Sequence, residues 1–288
     1  MTVYETLTNK MIERIEKNQS LPWTKPWKKT IDGNTSVNFV TGNAYHGFYN
    51  QAMTSGYENP LFASFKQAQK IGFKIKKGSK GIPIIYWTML DKKNDDDETL
   101  KTIPMLRYYT VFNIEDMEGD KDKYLDRYSF EPIQMQCVTA EKLVSNYLIG
   151  ENISRNSGVK ACYSSNDSIT IPPFNAFRLE SGYFGTLFHE IAHSTGHEKR
   201  LNRDMGNTFG SKAYGNEELI AELTSVYLCN TYGVLDNEEE LNSAAYIKNW
   251  INAIKADPKI LIQTMSKAKK AYDYIIEYAD ETEIKQAM

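Results

Sequence analysis

The residues whose types and spacing could perform chemistry lie in the short stretch HEIAH, from 189 to 193. Apolar residues around it predict a helix, on which His189 and His193 lie one turn apart, about 6 Å along the axis. Glu190, about 100° round the helix from His189, can contact a water on a shared ion without ligating it. This pattern is typical of zinc sites that cleave peptide bonds, in which the glutamate takes a proton from the water. We therefore predict His189 and His193 as zinc ligands and Glu190 as the catalytic residue.

A zinc site of this kind needs a third protein ligand, and the sequence offers three candidates. His197 comes two residues before Lys199, which stands where HExxHxxGxxH sites place a third histidine. A second helix is predicted for GNEELIAELTSVYL, from 215 to 228, with Glu218 and Glu222 on one face. Glu218 is favoured as the ligand, with Glu217 and His197 left as alternatives. Glu222 is expected to accept a hydrogen bond from the far nitrogen of a ligand histidine.

A strand is predicted just before the histidine helix, in DSITIPP from 167 to 173. The two prolines prevent further pairing at its end. The strand would suit a sheet edge on which an extended substrate peptide pairs above the metal, and an ordinary structural strand is the alternative.

Composition excludes several classes of protein. No apolar run approaches the roughly 20 residues of a membrane-spanning helix, and the charged N-terminus lacks the apolar core of a signal peptide. We therefore expect a cytoplasmic protein with no membrane partner. The three cysteines have no CxxC spacing, which argues against a disulfide framework or a cysteine zinc site and favours small core residues.

Charge divides the chain unevenly. Residues 1–80 carry 12 Lys and Arg against 5 Asp and Glu, whereas the remainder carries 22 against 32. Aromatic residues accompany the basic ones, and Tyr86, Trp87, Tyr108 and Tyr109 follow on predicted strands. Lysines that contact phosphates and aromatic rings that stack on bases are what single-stranded nucleic acid binding requires, and the alternative is an ordinary surface with its aromatic residues in the core. The candidate nucleic-acid-binding residues are Trp23, Lys25, Trp27, Lys28, Lys74, Lys76, Lys77 and Lys80.

The elements predict an α+β fold in two domains, residues 1–130 and 131–288, joined through an irregular charged stretch at 115–135. The first domain is expected to be α+β: an amphipathic helix at 3–17, two short strands around the turn in NFVTGNAYHGF, a helix in PLFASFKQAQKIG and strands on either side of the hairpin tip DKKNDDDET. The second is expected to be mostly helical.

Several motifs in order resemble the ArdC family of antirestriction proteins, nearly from end to end. They include LPWTKPWK, TGNAYHGFYN, RYYTVFN, TLFHEIAHSTGHEKRLNRD, EELIAEL and YIKNWINAIKADPK. The resemblance implies an N-terminal single-stranded-DNA-binding domain and a C-terminal zincin-like metallopeptidase domain. It also implies that His189 and His193 are ligands, that Glu190 is catalytic and that the helix at 217–222 supplies the third ligand. Ser194 departs from the tryptophan that is common in the family.

The leading hypothesis is an antirestriction protein of a mobile element that protects incoming single-stranded DNA, with a zinc site that cleaves a host protein substrate. A DNA-binding shield whose metal site is structural is the first alternative. A metalloprotease without any role in nucleic acid binding is the second.

Overall fold

The structure, a computed structural model, describes residues 1–23, 29–30, 36–93, 100–128, 131–132, 137–205, 212–234 and 244–279. Helices and strands are mixed, which confirms the predicted α+β class. None of the described helices combines the length and the apolar character needed to cross a membrane. The helices are α1 Val3–Asn18, α2 Phe48–Thr54, α3 Phe65–Lys70, α4 Asp122–Leu125, α5 Cys137–Gly150, α6 Glu180–Ser194, α7 Lys212–Thr231, α8 Ala244–Ala256 and α9 Ile260–Ile276.

The strands form small sheets at several places along the chain. Their bounds are β1 Lys29–Thr30, β2 Val37–Asn38, β3 Leu61–Ser64, β4 Lys74–Ile75, β5 Ile82–Lys93, β6 Leu100–Asn113, β7 Met117–Glu118, β8 Glu131–Pro132, β9 Ser154–Ser157, β10 Cys162–Ser164 and β11 Ser168–Ile171. The largest sheet has the order β2-β3-β6-β5, β1 pairs with β8, and β4 pairs with β7.

Helix α1 begins at a capping box, in which the Thr2 hydroxyl accepts the Glu5 N–H and the Glu5 carboxylate accepts the Thr2 N–H. These bonds satisfy donors that a helix N-terminus leaves without partners. Leu7, Met11 and Ile15 on one face are fully buried. The predicted amphipathic helix at 3–17 is thereby confirmed.

Two predictions for the N-terminal part were wrong in detail. Residues 61–64, placed in a helix from the sequence, form β3, and the helix begins only after Ser64, whose hydroxyl accepts the Gln67 N–H. In NFVTGNAYHGF, β2 has no second strand after the turn, only an isolated bridge between Val37 and Ala44. Residues 94–99 of the predicted hairpin tip lie outside the described residues, although β5 and β6 pair on either side of it.

The C-terminal part places a three-stranded sheet of order β10-β11-β9 beside α6. The predicted strand in DSITIPP is β11, which lies in the middle of this sheet, antiparallel to β10 and parallel to β9. The expected edge is therefore wrong, because hydrogen bonds to β9 and β10 already occupy both sides of β11. Cys229 is buried as predicted, whereas Cys162 is exposed on β10.

One hydrophobic core joins the N-terminal helices to α7, α8 and α9. The rings of Phe48 and Tyr227 stack with centroids 3.4 Å apart, and the Tyr227 hydroxyl donates to the Phe48 carbonyl over 2.8 Å. Trp23 meets Trp250 edge to face at 4.8 Å. The two halves of the chain therefore stabilise each other. The boundary at residue 130 stays a prediction, since 129–130 and 133–136 lie outside the described residues.

Substitution Phe48→Ala tests this shared core. Because Phe48 is 2% exposed and stacks on α7, we expect the free energy of unfolding to fall by about 3–5 kcal/mol. Urea denaturation followed by circular dichroism measures this change, and hydrogen exchange should show lost protection at 216–231. The matched control is Phe65→Ala, at a ring that is 55% exposed, for which we expect a change within about 0.5 kcal/mol. A loss of protection confined to residues 1–112 would contradict the shared core.

Candidate metal centre

The histidines stand on α6, whose other side is anchored in the core. Leu187, Phe188 and Ile191 are fully buried and hold that side against the sheet and neighbouring helices. The carbonyls at the end of α6 receive guanidinium donors, because Arg203 Nη2 lies 2.9 Å from the Ala192 oxygen and Arg200 Nε lies 2.6 Å from the Ser194 oxygen. These bonds satisfy acceptors that a helix C-terminus leaves without partners. The position of the histidine face is thus fixed by both packing and hydrogen bonds.

The structure brings His189, His193 and Glu218 together across α6 and α7. The two Nε2 atoms are 3.1 Å apart, and the Glu218 oxygens lie 3.5 Å from His189 Nε2 and 3.6 Å from His193 Nε2. A tetrahedral ion with bonds of about 2.0–2.1 Å holds its ligand atoms about 3.3–3.4 Å apart. Two imidazole nitrogens and one carboxylate are also a suitable donor set. These residues therefore fit a zinc-like divalent ion.

Glu217, considered from the sequence as a ligand, lies behind His193 on the Nδ1 side of its ring. Its Oε1 atom is 3.3 Å from His193 Nδ1. Arg203 holds the same carboxylate with Nη2 at 2.6 Å and Nε at 2.9 Å. Burial would raise the pKa of Glu217, but the hydrogen bonds and charges of Arg203 and His193 lower it below the ordinary value. An ionised carboxylate at Nδ1 keeps the proton there and leaves the Nε2 lone pair for a metal.

Glu222 has a different partner from the one expected. Glu222 was predicted to accept a hydrogen bond from a histidine, but its carboxylate accepts one from Trp250 Nε1 over 3.0 Å. Glu217 is the carboxylate at His193 Nδ1. Burial raises the pKa of Glu222 to about 7, against the lowering effect of that bond. Glu222 thus joins α7 to α8. The sequence alone does not decide whether Glu217 or Glu222 lies behind a histidine, because the answer depends on how α7 crosses α6.

Glu190 lies in the wall of a cavity of about 730 Å³ that also contains His189, His193 and Glu218. The side chain is only 8% exposed, and burial raises the pKa of its carboxyl group, although the backbone N–H of Tyr163 donates to it and the nearby histidines lower the pKa. Tyr163 belongs to β10, which is one of the two edge strands of its sheet and forms part of the same wall. The edge strand beside the histidines is therefore β10, whereas β11 was predicted.

His197, the other alternative ligand, lies in the cavity wall but outside the group formed by His189, His193 and Glu218. Its Nδ1 accepts the Lys199 N–H over 3.2 Å, and its Nε2 is 3.9 Å from Asp167 Oδ2. Asp167 in turn accepts hydrogen bonds from Tyr163 and Arg200. Among the described residues, the group that could hold an ion does not include His197.

The candidate DNA-binding residues fall into three sets. Trp23 is 2% exposed and packs on Trp250, so its expected contact with DNA is corrected: a base has no access to this ring. The predicted contacts Lys25, Trp27 and Lys28 lie outside the described residues. The remaining four are exposed, at β4 and in the turn before β5; they are Lys74, Lys76, Lys77 and Lys80. Lys76 Nζ also donates a hydrogen bond to the Glu115 carbonyl.

Known families match both parts of the chain. Residues 1–112 match the model of the N-terminal domain of anti-restriction factor ArdC, and residues 139–267 match that of a zincin-like metallopeptidase. The crystal structures of the antirestriction ArdC protein from plasmid R388 are 28% identical to this chain. The metal-free form has a TM-score of 0.70 and covers 97% of this chain and 98% of ArdC. The Mn(II)-bound form has a TM-score of 0.72 and covers 98% and 99%.

Curated relatives include longer proteins. A DNA primase TraC of Escherichia coli is 30% identical over 295 residues, which cover 96% of this chain but 27% of TraC, so the chain spans about a quarter of that relative. A second TraC from the same organism is 29% identical and is covered over 20% of its length. The uncharacterized protein y4eC of Sinorhizobium fredii (strain NBRC 101917 / NGR234) is 29% identical, over 95% of this chain and 91% of y4eC.

The substitution Glu217→Gln tests how His193 is oriented. Removing the charge behind Nδ1 should weaken the affinity for Zn²⁺ and Mn²⁺ by about 10- to 100-fold, because a neutral amide oxygen is a weaker acceptor for the Nδ1 proton than a carboxylate. Titration calorimetry with either ion measures this loss. The matched control is Glu222→Gln, on the same helix but bonded to Trp250, for which we expect less than about a threefold change. A larger loss in the control would return the orienting role to Glu222.

Proposed function

The chain belongs to the ArdC family of antirestriction proteins, and on this basis we propose that it protects incoming DNA of a mobile element from host restriction. In this proposal it acts in the cytoplasm, binds single-stranded DNA and cleaves a host protein at a zinc site. The observation that carries the catalytic part is the triangle of His189 Nε2, His193 Nε2 and the Glu218 carboxylate, with Glu190 in the same cavity wall.

The ligands in this proposal are His189, His193 and Glu218. When bound, zinc supplies a Lewis acid that polarises a carbonyl and lowers the pKa of water. Glu190 takes a proton at its carboxylate and returns it to the leaving amine. Its buried position suits both steps, since a raised pKa brings the carboxyl group closer to the pH of the cell.

The cavity also suits an extended peptide substrate. Its wall includes the edge strand β10, and an edge strand presents backbone groups that can pair with another chain. A peptide aligned along β10 would pass beside Glu190, because Tyr163 of that strand contacts the Glu190 carboxylate. Pairing with β10 through backbone groups would accept peptides of many sequences. We therefore expect the rest of the cavity to select among the side chains of the substrate.

Single-stranded DNA is the proposed partner of the N-terminal part. Residues 1–80 carry an excess of seven positive charges, and Lys74, Lys77 and Lys80 are exposed. Binding through phosphates should weaken steeply as salt rises, whereas cleavage of an uncharged peptide should not. This contrast separates the two proposed activities in one preparation.

Substitution Glu190→Gln tests whether protection needs the peptidase chemistry. Loss of a general base lowers the rate of cleavage by about 10²- to 10⁴-fold, so protection of conjugatively transferred DNA in a restricting recipient should be lost. Metal content and DNA affinity should stay at wild-type levels. Transfer into a recipient without restriction normalises the assay. The matched control is Glu198→Gln, an exposed carboxylate of the same cavity. Full protection by Glu190→Gln would instead support a DNA shield with a structural metal.

A further inference from the structure

The hairpin of β5 and β6 exposes an unusual amount of apolar and aromatic surface. Near its base, Ile82, Ile84 and Val111 are buried in the core. Further out, eight of the fifteen exposed large apolar side chains among the described residues belong to this one hairpin. They are Tyr86, Trp87, Met89, Leu90, Ile103, Met105, Tyr108 and Tyr109. We call residues 85–90 and 103–109 the hairpin arm. Such a concentration on one element indicates a binding surface.

The strand register sorts the aromatic rings onto two faces. Directly opposite residues of an antiparallel pair share a face, and the observed pairs include Tyr86 with Arg107 and Ile84 with Tyr109. Tyr86 and Tyr109 are thus diagonal neighbours, with ring centroids 5.7 Å apart. The pairing of Trp87 with Leu106 and of Ile85 with Tyr108 places Trp87 and Tyr108 diagonally on the other face. Each face therefore presents two partly exposed rings.

Positive charge lies beside these rings. Arg107 is exposed and directly opposite Tyr86. The exposed lysines of the turn before β5 are also close along the chain, because the six residues from Lys80 to Tyr86 span at most about 20 Å. A partner that is anionic and carries flat, accessible π faces matches both features. Single-stranded DNA has these properties, whereas bases in a duplex are already stacked on each other.

We propose that the hairpin arm is the stacking platform for single-stranded DNA. Bases stack on Tyr86, Trp87, Tyr108 and Tyr109, and Arg107 contacts the phosphates. The inference rests on the proposed binding of single-stranded DNA and assigns it to residues. It also replaces the buried Trp23 as the aromatic contact.

The test measures the affinity of the full chain for a fluorescein-labelled oligothymidine by anisotropy over a series of salt concentrations. Stacking contributes about 1–3 kcal/mol per base, so Trp87→Ala should weaken binding by about 5- to 150-fold. The slope of log affinity against log salt should not change, because no phosphate contact is lost. Lys77→Ala, in contrast, should make that slope shallower. Tyr108→Ala gives an independent reading on the same face.

The matched control is Met89→Ala, since Met89 lies two residues beyond Trp87 on the same face and is 67% exposed but has no ring. Little change in DNA affinity is expected for it. An equal loss in Met89→Ala would mean that DNA affinity depends on apolar surface in general and not on stacking against rings, and would overturn the proposal.

Binding also has a direct optical signal. A base stacked on Trp87 should quench its fluorescence, and this quenching should be missing in Trp87→Phe, which keeps a ring for stacking. Wild-type affinity in both Trp87→Ala and Tyr108→Ala would overturn the platform and leave DNA binding by the chain intact. If the wild-type chain bound no single-stranded DNA, the proposed function itself would fail, and the platform with it.

Discussion

The ion pair between Arg203 and Glu217 links the end of α6 to α7 beside the candidate metal centre of His189, His193 and Glu218. Its side chains are 6% and 2% exposed, and the guanidinium also donates to the Ala192 carbonyl and the Thr195 hydroxyl at the end of α6. One arginine therefore connects the end of the histidine helix to the carboxylate that lies behind His193. Removing one partner of a buried pair leaves an uncompensated charge and costs about 3–5 kcal/mol. This pair therefore adds to the packing and to the Ser225–Gly185 hydrogen bond that set the register of α6 against α7.

Helix α7 links the candidate metal centre to the N-terminal part. Near its start, Glu217 and Glu218 face the histidines, and further along Tyr227 stacks on Phe48 of α2. Glu222 lies between them and is hydrogen-bonded to Trp250, which packs on Trp23. Glu218, the candidate ligand on α7, therefore stands on a helix that is packed along its length against elements from both halves of the chain. Ligands on rigid elements keep the geometry that metal binding and proton transfer require.

The local periodicity of the sequence was enough to predict helix faces, but it was not enough to predict contacts between helices. The spacing of His189 and His193 places them on one face of any helix, and α1 follows from its apolar stripe. The roles of Glu217 and Glu222 depend on the crossing of two helices, which a single sequence does not encode locally. Trp23 lies in a stretch of Pro, Trp and Lys that fits neither a helix nor a central strand, yet its ring is buried in the core. The short apolar run of β3 is compatible with either helix or strand, because period alone does not separate them.

The most direct test of the account is a crystal structure of the zinc-loaded chain with anomalous diffraction recorded on both sides of the zinc absorption edge. The account predicts one strong anomalous peak about 2.0–2.2 Å from His189 Nε2, His193 Nε2 and a Glu218 oxygen, with Glu217 still bound to Arg203. A peak coordinated by His197 and Asp167, or by Glu217 in place of Glu218, would contradict it.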